Sequence, residues 1–254
     1  MLWEETFRMN RLFIQSIKRK QDHCDESMYP YCLPVVRNLQ ELKINKAVTF
    51  FVGENGTGKS TIMEAVAINY GFNAEGGSRN FNFQTQSTHS NLHQSITLGK
   101  GIRHPKDGYF LRAESFYNVA TEIERMDAEP SFDAKIKEAY GSKSLHVQSH
   151  GESFLSLVQN RFFGNGLYLL DEPEAALSPS RQMTLLALIH ALVKNNSQFI
   201  IATHSPILLS YPDADIYVLT EEEIGLTPYK ETEHYTLTRQ FLNNPEGILK
   251  HLID

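Results

Sequence analysis

The chain has 254 residues, 41% of them apolar, which suits one α/β domain with a full core, so we expect a single domain over residues 1–254. Its net charge of −6 argues against a broad nucleic-acid-binding surface, and its longest apolar runs are far shorter than the roughly 18 residues of a membrane-spanning helix. Only two cysteines are present, Cys24 and Cys32, and the first residues do not resemble a secretory signal. These features predict a cytoplasmic protein without membrane insertion.

The N-terminal part is predicted to be small and β-rich. Leu12–Ile17 and Leu42–Ile44 have the composition of strands and flank a polar loop. A third apolar run, Ala47–Val52, leads into a glycine-rich loop. The segment Thr61–Ile68 leaves that loop as a predicted helix, which Gly71 is suited to end.

The glycine-rich loop fits the phosphate-binding pattern G-x-x-x-x-G-K-[ST]. Its glycines let successive backbone N–H groups point at phosphate oxygens, and the following helix adds the positive end of its dipole. Lys59 is expected to reach the β- and γ-phosphates, and the Ser60 hydroxyl to ligate Mg²⁺. The predicted nucleotide-binding residues are Gly53, Glu54, Asn55, Gly56, Thr57, Gly58, Lys59, Ser60 and Thr61.

Residues 72–150 are expected to form an excursion of helix and loop that carries further functional residues. Within it, Phe81–Gln84 alternates like a short strand, Tyr109–Ala113 is predicted as a strand, and Phe116–Ile123 as a helix. Sustained heptads are missing, so no long coiled-coil arm is predicted.

The second half alternates between strand and helix. Ser178 and Pro179 form a helix-start pattern, with Ser178 as the expected cap. Strand–helix–strand alternation predicts a mostly parallel sheet with flanking helices, the α/β fold of P-loop nucleotide hydrolases. The predicted elements are the strands Leu167–Leu170, Phe199–Thr203 and Ile216–Leu219, the helix Pro179–Lys194, and a helical tail Thr236–Leu252 broken near Pro245.

Two acids directly follow the first of these strands. Asp171 and Glu172 are therefore predicted at the carboxyl edge of the sheet, where ligands bind in open α/β folds. Asp171 is the expected magnesium-holding carboxylate, and Glu172 the group that accepts a proton from the attacking water or orients it. The alternative is a pair of acids that cap the next turn.

With these motifs the chain resembles the ATP-binding-cassette (ABC) ATPases, including the soluble repair and chromosome-maintenance branch. Those proteins carry a signature, L-S-G-G-Q or L-S-G-G-E, shortly before the acidic strand end. Here Ser149, Gly151 and Glu152 match that pattern, while Gln148 and His150 depart from it. The resemblance implies that the matching residues contact a nucleotide, although Ser149 and Glu152 also have the spacing of a helix capping box.

Two further segments carry the same resemblance. His204 lies where the family has its switch histidine, which implies contact with the γ-phosphate, and Ala175–Ser178 resembles the D-loop at the subunit interface. The family's Q-loop glutamine, a magnesium ligand, has three candidates, of which the first is preferred because it closes an alternating strand: Gln84, Gln86 and Gln94.

More narrowly, the whole chain looks like a group of compact bacterial predicted ATPases in which segments similar to Phe72–Phe81 and Leu111–Tyr117 recur. Because one chain carries both the phosphate loop and the signature, the resemblance implies an ATP-dependent head-to-tail homodimer that encloses two ATP molecules. Hydrolysis of ATP would reopen this dimer and transmit the change to an unidentified protein or DNA partner.

Several roles for such a switch remain open. DNA repair or defence against foreign DNA fits the signature segment, and the subunit of a membrane transporter fits the general ABC plan. A nuclease-linked ATPase of the overcoming-lysogenization type would need an additional metal-dependent domain. A P-loop kinase would leave Ser149 and His204 without a role.

Overall fold

The computed structural model describes residues 11–20, 25–78, 90–114 and 150–253. Strands in these ranges form two sheets, one of six strands and one of three. The strands are β1 (Ile14–Arg19), β2 (Glu41–Lys43), β3 (Val48–Val52), β4 (Ile96–Lys100), β5 (Asp107–Arg112), β6 (Gly166–Asp171), β7 (Gln198–Ala202), β8 (Ala214–Leu219) and β9 (Ile224–Leu226).

The larger sheet has the order β5-β6-β7-β3-β8-β9. Its first five strands are parallel, and β9 pairs with β8 in the antiparallel direction. The smaller sheet has the order β2-β1-β4 with antiparallel pairs. The chain therefore combines a mostly parallel α/β sheet with a small β-rich N-terminal part, as the sequence predicts.

Helices cover both faces of the larger sheet. Those described are α1 (Pro34–Asn38), α2 (Lys59–Tyr70), α3 (Leu92–Ser95), α4 (His150–Arg161), α5 (Pro179–Lys194), α6 (Pro206–Leu209), α7 (Glu233–Asn243) and α8 (Pro245–Ile253). Short 3₁₀ helices follow β6 (Pro173–Ala176) and precede α7 (Tyr229–Glu231).

The parallel strands are apolar on both sides because each side faces a separate core. In β3, Phe50 packs with residues of α4, α5 and α6, whereas Phe51 faces α2 and the smaller sheet. In β6, Tyr168 and Leu169 alternate between the same two cores. This two-sided burial explains why these strands appear as continuous apolar runs rather than alternating ones.

Most predicted elements are confirmed, with small shifts at their ends. Gly71 ends α2 in a left-handed conformation (φ +99°), as expected. The sequence did not predict α1 or β9, and Ser178 occupies the cap position of α5 without donating or accepting a capping side-chain bond. The excursion over residues 72–150 also contains β4 and β5, one strand for each sheet. Phe81–Gln84 and Phe116–Ile123 lie outside the described residues.

In the part of the chain that the structure describes, no helix combines the length and the apolar character needed to cross a bilayer.

Candidate nucleotide-binding site

The phosphate loop joins the end of β3 to the start of α2, as its sequence pattern predicts. Lys59, the first residue of α2, is 4% exposed, and its Nζ donates to the carbonyl oxygens of Gly53 (2.8 Å) and Glu54 (2.9 Å). Burial lowers the pKa of Lys59, while the nearby carboxylates, Glu172 first among them, act in the opposite direction. The lysine is thus held inside the loop, with a cation and backbone amides on one concave surface.

Position 58 requires a glycine for two reasons, its backbone conformation and the lack of space for a side chain. It precedes α2 with φ +100°, and a Cβ built on it would lie 2.6 Å from Cγ1 of Val35. Val35 is fully buried in α1, and a β-branched side chain has little rotamer freedom with which to move away. The helix α1, which the sequence did not predict, therefore supports the outside of the phosphate loop.

We expect Gly58→Ala to destabilise the protein more than Gly71→Ala does. Gly71 has nearly the same conformation, φ +99°, but open space around it, so it is the matched control. The left-handed backbone costs about 1–2 kcal/mol in both variants, and overpacking against Val35 adds about 1–3 kcal/mol at position 58 alone. Urea unfolding measures both changes. Equal losses would contradict a steric role for Val35.

The two predicted magnesium-holding side chains lie in direct contact. Ser60 Oγ donates to Asp171 Oδ1 at 3.1 Å, although the residues are 111 positions apart. Asp171 is the last residue of β6 and is 5% exposed. Burial raises the pKa of Asp171 to about 6, and the nearby Arg112 guanidinium and the Ser60 hydroxyl only partly oppose this effect.

Arg112 compensates the charge of this carboxylate from the neighbouring strand. It is paired in register with Asp171 between β5 and β6, and its Nε lies 3.5 Å from Asp171 Oδ2. The same guanidinium lies 3.3 Å from Glu64 Oε2 on α2 and 3.7 Å from Glu114 Oε2. It also donates to the carbonyl oxygen of Ala74 at 3.3 Å. One arginine thus links the P-loop helix, β5 and the acidic end of β6.

Glu172 and His204 face each other at the carboxyl ends of adjacent strands. Glu172 has a left-handed backbone (φ 52°), rare for a residue other than glycine and often found at functional sites. Its Oε1 lies 3.7 Å from His204 Nε2. Burial and then the Lys59 charge lower the pKa of His204, so the imidazole is neutral at neutral pH.

Glu174 supports His204 from the 3₁₀ helix after β6. The His204 backbone N–H donates to Glu174 Oε1 at 2.5 Å, and burial raises the pKa of Glu174. Its second oxygen, Oε2, is buried and has no hydrogen-bond partner among the described residues, and the same is true of His204 Nε2. Two orphaned polar atoms at one strand edge are costly unless a ligand satisfies them.

Among the residues that the structure describes, three cavities border this site. One of about 420 Å³ lies between the phosphate loop, Thr220 and the start of α7. A second of about 600 Å³ is lined by Glu172, His204 and residues of α7. The third, about 330 Å³, lies between the loop and Tyr29, whose hydroxyl is 3.3 Å from Thr61 Oγ1. Tyr29 is 62% exposed, so its ring is accessible beside the loop.

The described part of the signature segment lies on another surface. Gly151 is the second residue of α4, and a Cβ added there would meet Arg181 Nη1 at 2.6 Å and the carbonyl oxygen of Ala176 at 2.8 Å. Glu152 accepts from Arg181 Nη2 at 3.1 Å. Neither Gly151 nor Glu152 lines the three cavities around the phosphate loop. Within one chain, these residues pack against the predicted D-loop and the start of α5.

The remaining predicted residues divide into two groups. Gln84, Gln86 and Ser149 lie outside the described residues, whereas Gln94 lies on α3, where its backbone carbonyl accepts from Lys20. The side chain that reaches Asp171 from the neighbouring strand is Arg112.

Sequence reasoning missed Tyr29, Arg112, Glu174 and His234 as site residues. A sequence signal was available for Arg112, the charged residue that ends an apolar strand, and for Glu174, two residues after Glu172. For Tyr29 and His234 we find no local pattern that could have identified them.

Comparisons with known proteins agree with this geometry. Residues 31–152 match the family model described as AAA domain, and residues 153–209 match the AAA ATPase domain model. A search of curated protein sequences gives no match. The structure of cbiO1 from Clostridium perfringens, part of the ABC transporter complex cbiONQ, is similar with a TM-score of 0.50 and 19% identity, over 95% of this chain and 99% of that one. The SMC head domain from Thermotoga maritima has a TM-score of 0.43 and 16% identity, over 85% of this chain and 99% of that one.

The family models and the fold lead to the same conclusion as the phosphate loop. The two models adjoin, and together they span the loop, the acidic end of β6 and His204. The similar cassette structure has the same fold over nearly the full length of both chains. The chain therefore has the fold of P-loop ATPase cassettes, and its residues 31–209 match models of AAA-type ATPase domains.

Proposed function

We propose that the protein is a magnesium-dependent ATPase that works as an ATP-driven dimerisation switch. The observation that carries this proposal is the convergence of Lys59, Ser60, Asp171, Glu172 and His204 on one edge of the sheet. Lys59 fits phosphate binding, Ser60 and Asp171 fit metal binding, and Glu172 and His204 fit hydrolysis.

The residues at this edge suit Mg²⁺ with ATP. Ser60 and Asp171 offer two oxygen atoms 3.1 Å apart, and oxygen donors are what Mg²⁺ prefers. When bound, the ion would bridge and neutralise the β- and γ-phosphate oxygens. Lys59 adds a second positive charge inside the loop, where its Nζ is anchored by the carbonyl oxygens of Gly53 and Glu54. Tyr29 offers an accessible ring for a nucleobase beside Thr61.

Glu172 and His204 have complementary roles in this proposal. The half-exposed Glu172 carboxylate can accept a proton from water, and it is held above the strand end by its unusual backbone conformation. In the described part of the chain His204 Nε2 is buried and meets no hydrogen-bond partner, and burial lowers the pKa of the ring, so a neutral Nε2–H group can donate to a phosphate oxygen without adding a charge. Glu174 holds the His204 backbone in place.

The position of α4 supports a site shared between two chains. Gly151 and Glu152 do not line the cavities around the phosphate loop of their own chain. In a head-to-tail dimer the signature segment of one copy closes over the phosphate loop of the other. ATP would then hold the dimer together, and its hydrolysis would release it.

Mixing two inactive variants tests the shared site. Lys59→Ala removes the phosphate contact and Ser149→Arg blocks the signature, so each variant alone should lose nearly all ATP hydrolysis. In an equal mixture, half of the dimers are mixed, and each of these has one intact site of two, so about a quarter of the wild-type activity should return. Phosphate release under saturating ATP and Mg²⁺ measures it.

A second mixture is the matched control. Lys59 and Glu172 belong to the same half of the site, so Lys59→Ala mixed with Glu172→Gln should stay inactive. Activity restored in the control mixture, or absent from the first mixture although its mixed dimers form with ATP, would contradict the shared-site proposal.

We further propose that the switch acts on DNA, in repair or in defence against foreign DNA, because of the signature segment. The alternative role, as the ATPase subunit of a transporter, uses the same switch and requires a separate membrane chain. Salt-dependent binding of the ATP-bound dimer to duplex DNA distinguishes the two roles.

A further inference from the structure

The His204 side chain contacts a histidine on α7, in a part of the chain where the sequence has no motif. His204 Nδ1 lies 3.2 Å from Nε2 of His234, the second residue of α7. The two rings have centroids 5.4 Å apart and planes inclined by 46°. Both imidazoles are partly buried, and His234 lines the cavities on both sides of the phosphate loop.

The start of α7 is fixed in place by two further contacts. The hydroxyl of Tyr229 donates to the carbonyl oxygen of Pro206, two residues after His204, at 2.9 Å. Thr232, 1% exposed, caps α7 by accepting from the Tyr235 backbone N–H at 3.4 Å. The His204 loop and the α7 start are therefore tied together, so the contact between the two histidines belongs to a built arrangement.

The pair of contacts made by His204 determines where its proton lies. A hydrogen bond between two imidazole nitrogens needs one donor and one acceptor. With the His204 proton on Nδ1, the bare Nε2 lone pair would face the Glu172 carboxylate 3.7 Å away, which is repulsive. With the proton on Nε2, the positive N–H end faces the carboxylate, which is attractive although 3.7 Å is too long for a hydrogen bond, and Nδ1 can accept from His234 Nε2–H. The second arrangement is therefore favoured at both nitrogens, and Nε2–H stays available to a ligand.

Charge supports the same assignment. Burial lowers the pKa of both histidines. The Lys59 charge lowers the pKa of His204 further, and His204 itself does the same for His234. Both rings are thus neutral at neutral pH, and each has one proton to place.

We propose that His234 is a positioning residue that holds His204 in the tautomer with its proton on Nε2, ready to donate into the nucleotide site. The inference rests on the proposed function, since His204 acts on ATP only if the site hydrolyses it. It adds α7 to the machinery that senses the nucleotide: movement of α7 away from Pro206 would withdraw the donor and release the His204 ring.

Three variants of His234 test whether this residue positions the His204 ring or only packs against it. His234→Gln keeps an N–H donor within reach of Nδ1, His234→Ala removes it, and His234→Glu replaces it with an acceptor. Nitrogen NMR of histidine-labelled protein reads the tautomer, and the His204→Asn variant assigns the signals. We expect Nε2–H for His204 in the wild type and in His234→Gln, a mixture in His234→Ala, and protonated Nδ1 in His234→Glu.

The rate of ATP hydrolysis should depend on the tautomer of His204. We expect kcat to fall about 10–100-fold in His234→Ala and His234→Glu, the range for losing one hydrogen bond to a charged group, and to stay within about threefold in His234→Gln. The dissociation constant of ATP should change less than about threefold in all of them. The control is His190→Ala on α5, which removes an imidazole that contacts Tyr211 and no described residue of the site.

The two proposals can fail separately. If the wild type does not hydrolyse ATP, the proposed function is wrong, and the NMR signals still decide whether His234 selects the tautomer. If the wild type hydrolyses ATP but His204 keeps the same tautomer and kcat in His234→Ala and His234→Glu, the positioning role is overturned and the proposed function stands.

Discussion

Glu172→Gln is expected to lower kcat for ATP hydrolysis by about 10²–10⁴-fold, the usual contribution of a positioned general base. The amide keeps the size of the side chain and its contact with His204, but it cannot accept the proton of water. Because Lys59, Ser60 and Asp171 are untouched, ATP affinity should stay within a fewfold of the wild-type value. Single-turnover hydrolysis and a fluorescent ATP analogue measure the two quantities.

The same variant should accumulate the closed dimer, since ATP that is bound but not hydrolysed cannot release it. Size-exclusion chromatography with light scattering, with ATP and Mg²⁺ present, should then show twice the mass of the chain. Glu246→Gln, which changes an exposed glutamate on α8, is the control and should behave as wild type. A Glu172→Gln variant that binds ATP yet remains monomeric would rule out the switch.

Arg112→Met is expected to lower the free energy of unfolding by about 3–5 kcal/mol, the range for breaking a buried ion pair by removing one partner. Methionine keeps most of the side-chain volume, but it removes the positive charge between Asp171 and Glu64. Each of these carboxylates has less than one fifth of its side-chain surface exposed, so their negative charges would face each other with little solvent around them. Urea unfolding of the nucleotide-free protein measures the loss. Adding Asp171→Asn to Arg112→Met should recover part of it.

The loss in Arg112→Met should depend on pH. Arg112 lowers the pKa of Asp171, so its removal raises that pKa further above about 6. A carboxyl group with a folded-state pKa above its unfolded value of 3.8 binds its proton more tightly when folded. The stability difference from wild type should therefore be largest above pH 7 and shrink as the pH falls towards 4.

An exposed ion pair provides the control for Arg112. Lys18 lies 3.0 Å from Glu41 with more than a third of each side chain exposed, and Lys18→Met should cost less than about 1 kcal/mol. If Arg112→Met costs no more than this control, or if its loss does not change with pH, the charge on Asp171 is not compensated by Arg112.

Local patterns were enough to locate the chemistry along the chain. The phosphate loop between β3 and α2 follows from its glycine spacing, because that spacing sets the backbone conformation irrespective of the rest of the fold. Asp171 and Glu172 follow from the apolar run before them, since a buried strand delivers the next residues to the sheet edge. The parallel sheet follows from strand–helix alternation.

Tertiary structure decided which side chains complete these motifs. Arg112 reaches Asp171 only through the register of β5 on β6, Val35 restricts Gly58 only because α1 packs there, and His234 meets His204 across 30 residues of chain. Each is a single contact between segments that are distant in the sequence. No repeated pattern along the chain, such as the period of a helix or a strand, signals such a contact. The sequence by itself therefore predicted a P-loop ATPase and located its candidate phosphate loop and acidic strand end along the chain. Only the fold determined how the carboxylate is compensated and how the histidine is held, because those contacts exist only once the segments have packed.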